Sequence, residues 1–209
     1  MRLKEGIIMN YDLEMEHQMQ EYKEGTKVLL HACCAPCSSA VLERIASYFE
    51  VTILYFNPNI TKEEEYQKRL GELKKFIKSI HSEYPVRLIE GRYQPKEFFE
   101  IAKGLEEEPE RGKRCYKCYQ LRLEETAKVA SDNNFPLFCT TLTLSPHKNA
   151  DWINQIGKEL DKEYKATYLY SDFKKKNGYK RSIELSKEYN LYRQDYCGCI
   201  YSIRDKKEE

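Results

Sequence analysis

Five short apolar runs, separated by stretches long enough for helices, restrict the fold of this chain more than any other feature. Buried strands of a parallel sheet are continuous apolar runs, and parallel neighbours need a crossover of a dozen residues or more. The predicted strands span residues 27–31, 51–56, 86–89, 136–144 and 166–169. The pattern therefore predicts an α/β fold, a Rossmann-like parallel sheet with helices on both faces.

The segments between the strands have the periodicity and the boundary signals of helices. Thr61, with Glu64 three residues later, forms a capping-box pattern. A chain of 209 residues is the size of one domain. We expect an N-terminal helical arm at 1–24 and a single α/β catalytic domain at 25–209. The predicted helices span residues 38–46, 61–81, 95–103, 114–131, 149–164 and 181–189.

The turn after the first strand carries three cysteines where such a fold is expected to place its chemistry. In open parallel sheets, ligands bind beyond the carboxyl ends of the strands. The turn Ala32-Cys-Cys-Ala-Pro-Cys37 follows the first strand directly, where a nucleotide-binding protein would have its phosphate loop. It contains no glycine, and thiols stand where a phosphate loop exposes bare backbone. The scaffold is thus typical of nucleotide binding, whereas the turn is not.

Seven of the eight cysteines fall into three closely spaced motifs. These motifs are Cys33-Cys34-Ala-Pro-Cys37, Cys115-Tyr-Lys-Cys118 and Cys197-Gly-Cys199. The first residues contain no apolar stretch long enough for a signal peptide, and no window approaches the roughly 20 apolar residues of a membrane span. We therefore expect a cytoplasmic location. Thiols stay reduced there, and clustered cysteines indicate metal or redox chemistry rather than disulfides.

The number of thiols exceeds what one metal site needs. A tetrahedral zinc ion takes four ligands and a cubane cluster takes up to four thiolates, so seven thiols favour two adjacent centres. One structural zinc with spare thiols is an alternative, and a C-x-x-C disulfide relay is another. Gly198 permits the backbone that would turn Cys197 and Cys199 to the same side. Cys139, alone in a predicted strand, is expected in the core.

Four longer segments carry a resemblance to a known family. HACCAPCSS, GKRCYKCYQLRLEETA, TTLTLSPHKN and DFKKKNGYKRSIELSKEYNLYRQDYCGC occur in this order. Together they resemble the cobalamin-independent epoxyqueuosine reductases, called QueH, and the resemblance extends from Met9 to Ser202. Each motif alone is weakly specific, whereas the ordered set is highly specific.

The resemblance implies an oxidoreductase of queuosine biosynthesis. Its reaction would be the two-electron deoxygenation of epoxyqueuosine in the anticodon loop of tRNA to queuosine. It further implies a 4Fe–4S cluster with an adjacent mononuclear iron, a tRNA partner, an external low-potential electron donor and no membrane. The implied ligands, without a division between the two centres, are Cys33, Cys34, Cys37, Cys115, Cys118, Cys197 and Cys199.

The reaction also needs proton donors. Release of the epoxide oxygen as water consumes two electrons and two protons, and an under-coordinated iron can act on that oxygen as a Lewis acid. The candidate donors are Asp172, Asp195, Tyr196 and His147, each next to a motif at the predicted edge of the sheet. A structural interpretation is open for three of them: Asp195 and Tyr196 would orient the cysteine turn, and Asp172 would cap the following turn.

A basic run follows the fifth predicted strand. A run of charge is commonly a solvated loop, but at the catalytic edge it could contact phosphates while neighbouring rings stack on bases. Phe173 and Tyr179 are interleaved with it. Lys148, after the fourth strand, is a further candidate for substrate contact. The five basic residues, which fall within eight positions, are Lys174, Lys175, Lys176, Lys180 and Arg181.

Two other functions remain open at this point. The 35 basic and 34 acidic residues give a net charge of +1, which argues against a charge-driven, non-specific nucleic-acid coat. One alternative is a cluster-dependent, sulfur-handling tRNA enzyme on the same adenine-nucleotide-hydrolase-like scaffold, although such enzymes typically keep a glycine- and serine-rich ATP loop or use fewer cysteines. The other is a non-catalytic, zinc-stabilised RNA-binding module.

Overall fold

A five-stranded parallel sheet forms the centre of the computed structural model, which describes residues 9–205. The strands are β1 Lys27–His31, β2 Glu50–Tyr55, β3 Arg87–Glu90, β4 Leu137–Thr140 and β5 Thr167–Tyr168. Their order across the sheet is β3-β2-β1-β4-β5, and all neighbouring pairs are parallel. The Rossmann-like α/β fold predicted from the sequence is confirmed.

Helices cover both faces of this sheet, and alternate residues of each strand feed two separate cores. In β1, Val28 and Leu30 pack in one core, whereas Leu29 packs in the other, as the two-residue period of a strand requires. None of the helices in the described part of the chain is both long and apolar enough to cross a membrane. The helices are α1 Tyr11–Glu21, α2 Ala35–Ile45, α3 Glu63–Ser79, α4 Pro95–Ala102, α5 Lys113–Asp132, α6 Ala150–Leu160, α7 Gly178–Glu188 and α8 Ile200–Asp205.

The N-terminal helix α1 lies along the β5 edge of the sheet. Gln18 donates from Nε2 to the Tyr168 carbonyl at 3.1 Å and accepts at Oε1 from the Tyr170 N–H at 2.8 Å. Met15 is fully buried. The side chain of Gln18 therefore satisfies backbone groups of the edge strand that would otherwise be open to pairing with another chain. Residues 1–8 of the predicted arm lie outside the described part.

The fourth strand is shorter than the sequence predicts. The predicted strand at 136–144 ends at Thr140, and Thr141–Leu144 form a 3-10 helix instead. The reason is local: the Thr140 hydroxyl accepts from the Leu142 N–H at 3.1 Å and so caps a turn. This turn carries the chain over the carboxyl edge of the sheet.

Several helix boundaries also differ from the prediction. Helix α2 begins three residues earlier than predicted, because Pro36 fits the first turn of a helix. The predicted capping box at Thr61 is wrong: Lys62 is the N-cap and makes no side-chain hydrogen bond. Three consecutive glutamates in the first turn of α3 favour that end of the helix electrostatically instead. Helix α8 was not predicted, and α7 begins at Gly178 rather than Arg181.

Close packing between α6 and β5 requires a glycine at position 157. A Cβ atom built there would overlap the ring of Tyr168. We expect Gly157→Ala to lower the free energy of unfolding by about 1–3 kcal/mol, measured by urea denaturation, because the overlap forces a backbone shift. In the control variant Gly71→Ala, on α3, no heavy atom lies within 4 Å of the added carbon. That variant should gain about 0.5–1 kcal/mol. Equal stability of the two variants would contradict this account.

Candidate metal centre

The loops that follow the strands meet at the carboxyl edge of the sheet around a cleft of about 890 Å³. This is the edge at which ligands bind in open parallel sheets. All three cysteine motifs contribute to this region: Cys33, Cys37 and Cys197 line the cleft, and a second, smaller cavity lies beside it. The predicted convergence of distant cysteines at one edge is therefore observed.

The first group consists of Cys33, Cys34 and Cys37, in the turn after β1 and the first turn of α2. Their sulfur atoms all lie within 4.8 Å of one another, and the Cys33 and Cys34 sulfurs are 3.7 Å apart. Cys33 and Cys34 are buried, and the Gln194 amide donates to the Cys34 sulfur at 2.8 Å. The N-terminus of α2 adds a positive partial charge that favours thiolates at this turn.

Hydrogen bonding divides the protons unevenly among these three thiols. The thiols of Cys34 and Cys37 both donate hydrogen bonds to the Cys33 sulfur, with Cys34 having the larger effect, and these bonds hold the pKa of Cys33 well below its usual range. The same bonds raise the pKa of Cys34 to about 12 and that of Cys37 well above its ordinary value. Without a metal, Cys33 is thus the thiolate of the group. A bound metal ion would replace the two shared protons, since thiolates rather than thiols are metal ligands.

The second group consists of Cys115, Cys118, Cys197 and Cys199, which line the smaller cavity of about 20 Å³. Cys115 and Cys118 lie three residues apart in the first two turns of α5 and share one face of it. Burial raises the pKa of Cys115 to about 11 and that of Cys118 to about 12. Two pairs of thiols, one from α5 and one from the C-terminal segment, therefore face one small space.

Gly198 allows Cys197 and Cys199 to turn towards this space, as the sequence predicts. Its φ angle is 108°, which side chains rarely adopt. An added Cβ would approach the Ile60 side chain to 2.9 Å. Both the backbone conformation at position 198 and the space around its Cα atom therefore require glycine.

Arg69, which the sequence reasoning missed, fixes the position of this turn. Its guanidinium is buried and donates to the carbonyls of Tyr196 and Cys197 at 3.2 and 3.1 Å. Glu65, one helical turn away on α3, binds its Nε at 2.7 Å. The spacing of Glu65 and Arg69 is readable in the sequence, but their burial under the C-terminal cysteines is not.

The two cysteine groups have the donor set of a metalloprotein. All eight cysteines are free thiols, and only Cys139 lies apart from the two groups, fully buried in β4 as expected. Two buried amide oxygens beside the groups, Gln194 Oε1 and Asn59 Oδ1, have no hydrogen-bond partner among residues 9–205. Unpaired buried acceptors are costly and rare in folded proteins. Thiols and unpaired oxygens facing small spaces fit a site that holds metal.

Three of the four predicted proton donors line the cleft. They are His147, Asp195 and Tyr196. His147 accepts at Nδ1 from the Arg111 guanidinium at 3.0 Å. Asp172 is not among the residues around the cleft, and its carboxylate pairs with Lys174 at 2.6 Å.

Most of the predicted basic run is engaged in ion pairs. Lys174 pairs with Asp172 and also donates to the Thr143 carbonyl, Lys176 pairs with Glu16, and Arg181 pairs with Glu43 at 2.6 Å. Lys175 and Lys180 are exposed and have no ion pair among residues 9–205. Phe173 is buried in the core and cannot stack on a base, whereas Tyr179 lines the cleft.

The cleft is also lined by cationic residues that were not predicted from the sequence. Arg111 and Arg193 lie around its opening, and Arg122 lines it from α5. Arg111 has a φ angle of 72°, and its backbone N–H donates to the Cys115 sulfur at 3.3 Å. Lys148, predicted as a substrate contact, lines both cavities; burial would lower its pKa, but the nearby Cys197 and Cys33 raise it.

Comparison with known proteins assigns the family. Residues 28–205 match the family described as Epoxyqueuosine reductase QueH. A protein of that name from Streptococcus pyogenes serotype M1 is 41% identical over 201 residues, covering 94% of this chain and 79% of the relative. Relatives of the same name from Staphylococcus epidermidis and Thermotoga maritima are 41% and 32% identical, covering 93% and 87% of this chain and 84% and 93% of the relatives. The chain therefore belongs to the epoxyqueuosine reductase QueH family and is an oxidoreductase.

Proposed function

We propose that this protein reduces epoxyqueuosine in tRNA to queuosine with a 4Fe–4S cluster and an adjacent iron ion. The observation that carries the proposal is that a group of three thiols and a group of four thiols lie together at the edge of one open cleft. The relatives of this chain are named for that reduction. A tRNA-modifying enzyme of this kind works in the cytoplasm. It also needs an external low-potential electron donor, because each deoxygenation consumes two electrons.

The two alternative functions have less support from the site. A sulfur-handling enzyme that uses ATP needs a backbone cradle for phosphate, and the turn after β1 presents thiols and Pro36 instead. A single structural zinc would use four of the seven motif thiols. It would leave the others without a role beside a cleft of the volume typical of small-molecule sites.

The spacing of the sulfurs supports a division between the two centres. Zinc-like tetrahedral sites have metal–sulfur bonds of about 2.3 Å, which place neighbouring sulfurs about 3.8 Å apart. The Cys33 and Cys34 sulfurs, at 3.7 Å, have this spacing. In our proposal, the group of Cys33, Cys34 and Cys37 holds the single iron and leaves one position open to the cleft. The other four cysteines supply the full thiolate complement of a cubane cluster.

Deoxygenation of the epoxide breaks two carbon–oxygen bonds, forms a carbon–carbon double bond and releases water after two electrons and two protons are added. Bound iron would supply Lewis acidity at the epoxide oxygen and the electrons from the external donor. The protein's own side chains would supply the protons. Burial, and then the nearby Glu65, raise the pKa of Tyr196, so its hydroxyl keeps a proton at neutral pH. His147 and Asp195 are the other proposed donors at the cleft; a role for Asp172 stays a prediction.

Substrate binding would combine the cleft with two exposed lysines. An anticodon nucleotide turned out of its stack can enter a recessed site without a separate RNA-binding domain. Lys148 and Tyr179 line the cleft it would enter. Lys175 and Lys180 are proposed to contact the flanking phosphates, because their charges are not neutralised within the described part. Lys174 and Arg181, also predicted as substrate contacts, already bind carboxylates.

Anaerobically purified protein tests the function as a whole. We expect a brown protein containing both iron and acid-labile sulfide, which converts epoxyqueuosine tRNA to queuosine tRNA when a low-potential donor is supplied. The product nucleoside is measured by mass spectrometry after digestion. A colourless zinc protein without this activity would support the RNA-binding module. ATP-dependent change of a thiolated tRNA would support the sulfur-handling enzyme.

Two matched serine variants test the division of the thiols. Cys34→Ser should reduce the iron content by about one atom per chain while the visible spectrum of the cluster persists, because only the group with the spacing of a single-metal site is damaged. Cys118→Ser should remove most of the iron and the sulfide together. Cys139→Ser, outside both groups, is the control. Loss of the cluster from Cys34→Ser with retention in Cys118→Ser would reverse the assignment.

Charge reversal at the two unpaired lysines tests the RNA contact. The double variant Lys175→Glu/Lys180→Glu should weaken tRNA binding about 10-fold or more, since each lost phosphate contact also removes the release of a counterion. Iron content should stay normal. The matched control is Lys128→Glu/Lys158→Glu, which makes the same charge change on exposed residues in the later turns of α5 and α6. Equal binding by both double variants, measured at several salt concentrations, would show that the lysines make no specific contact.

A further inference from the structure

Arg122 is a buried cation that lies near both cysteine groups. It follows Cys118 by one turn of α5, and only 1% of its surface is exposed. No carboxylate lies within 4.0 Å of its guanidinium among residues 9–205, in contrast to buried Arg69, which binds Glu65. A guanidinium stays protonated in proteins, so its positive charge has to be compensated in another way.

The hydrogen-bond partners of Arg122 are neutral. Its Nε donates to His31 Nε2 at 3.3 Å, and its NH2 group donates to Asn57 Oδ1 at 2.6 Å. Burial, and then the charge of Arg122, lower the pKa of His31 to about 3, so the imidazole is uncharged. Contacts on both sides hold the imidazole: its Nδ1 lies 2.9 Å from Thr140 Oγ1, and its Nε2 lies 3.1 Å from the Phe56 carbonyl oxygen. These contacts fix the guanidinium in place without neutralising it.

Cysteines of both groups lie near Arg122: Cys33, Cys37 and Cys197 line the same cleft, and Cys118 precedes it by one turn of α5. Burial alone would lower the pKa of Arg122, but Cys118, Cys33 and Cys197 raise it. The field of one guanidinium thus acts on the four-thiol group and on the three-thiol group together. An unpaired charge in the protein interior is strongly unfavourable, and negative charge on these sulfurs would compensate that of Arg122.

We propose that Arg122 is a positioning residue whose fixed positive charge stabilises the reduced state of the cysteine-bound iron centre. An electron added to thiolate-ligated iron increases the negative charge in a region of low dielectric constant, where a nearby cation acts strongly. The charge, hydrogen bonds and burial around an iron–sulfur cluster set its reduction potential. This inference rests on the proposed function, because it requires that the thiols hold a redox-active centre.

The reduction potential of the cluster tests the role of Arg122. We expect Arg122→Met and Arg122→Gln to shift the midpoint potential to more negative values, measured by redox titration under anaerobic conditions. Arg122→Lys, which keeps the charge, should stay close to the parent. Lys128→Met is the control, because it removes an exposed charge that is paired with Asp132 on the same helix. Its potential should not move.

Salt distinguishes this buried charge from a surface effect. The Debye length falls from about 10 Å at 0.1 M salt to about 3 Å at 1 M, which screens exposed charges but affects buried ones much less. The shift in the Arg122 variants should therefore persist at high salt. The proposal would also be supported if Arg122→Lys retained a cluster that both neutral variants lost. The positive charge is the property that Arg122→Lys shares with the parent and that the neutral variants lack.

Two results would overturn the proposal that the charge of Arg122 stabilises the reduced centre. If Arg122→Met or Arg122→Gln binds a normal cluster at the parent's potential, or if Arg122→Lys is as defective as the neutral variants, the residue has only a packing role. A parent protein that assembles no cluster under anaerobic conditions would remove the proposed function and this inference with it. The two failures are separated by the iron and sulfide content of the parent.

Discussion

A buried hydrogen-bond network at the carboxyl ends of the central strands holds this site together. His31 ends β1, Asn57 follows β2, and Thr140 ends β4. Arg122 on α5 reaches the first two, and Asn57 Nδ2 also donates to the Ala32 carbonyl at 2.9 Å. Each link is a side chain from a different segment, so the ends of three strands and one helix are fixed relative to one another. Cys33, the first cysteine of the turn, comes two residues after His31, so the network also restrains the position of this turn.

The network also sets the electrostatics of the cysteines. The cation of this network, Arg122, favours thiolate at nearby sulfurs, and the helix N-terminus acts on Cys33 in the same direction. Hydrogen bonds from Cys34 and Cys37 are the main reason that the pKa of Cys33 is low, and the charges of Lys148 and Arg122 act in the same direction. Its neighbours keep their protons until a metal replaces them. Rigid placement and charge thus prepare the first group for metal. The second group depends more on Gly198 and on the Arg69 contacts.

The sequence alone predicted most of the fold and the convergence of the three cysteine motifs, because both depend on local patterns. Apolar runs marked every strand, and close spacing marked every cysteine motif. What it missed are long-range pairings: Lys176 meets Glu16, 160 residues away, and Arg181 meets Glu43, 138 residues away. A run of charge carries no information about partners so distant in sequence. The hydrogen bonds of Arg122 could not be predicted for the same reason, since the sequence of α5 does not indicate that His31 and Asn57 lie next to it.

The order of the ligands along the chain links metal binding to the completion of the fold. Cys33 and Cys34 follow the first strand, whereas Cys197 and Cys199 come after the last strand and α7. The segment between α7 and these cysteines is held by polar contacts of Arg69 and Glu65 rather than by a regular element. A centre that takes thiols from both α5 and this segment would close the structure at its C-terminal end. Metal binding would then contribute directly to folding stability there, because the ligands approach one another only in the native state.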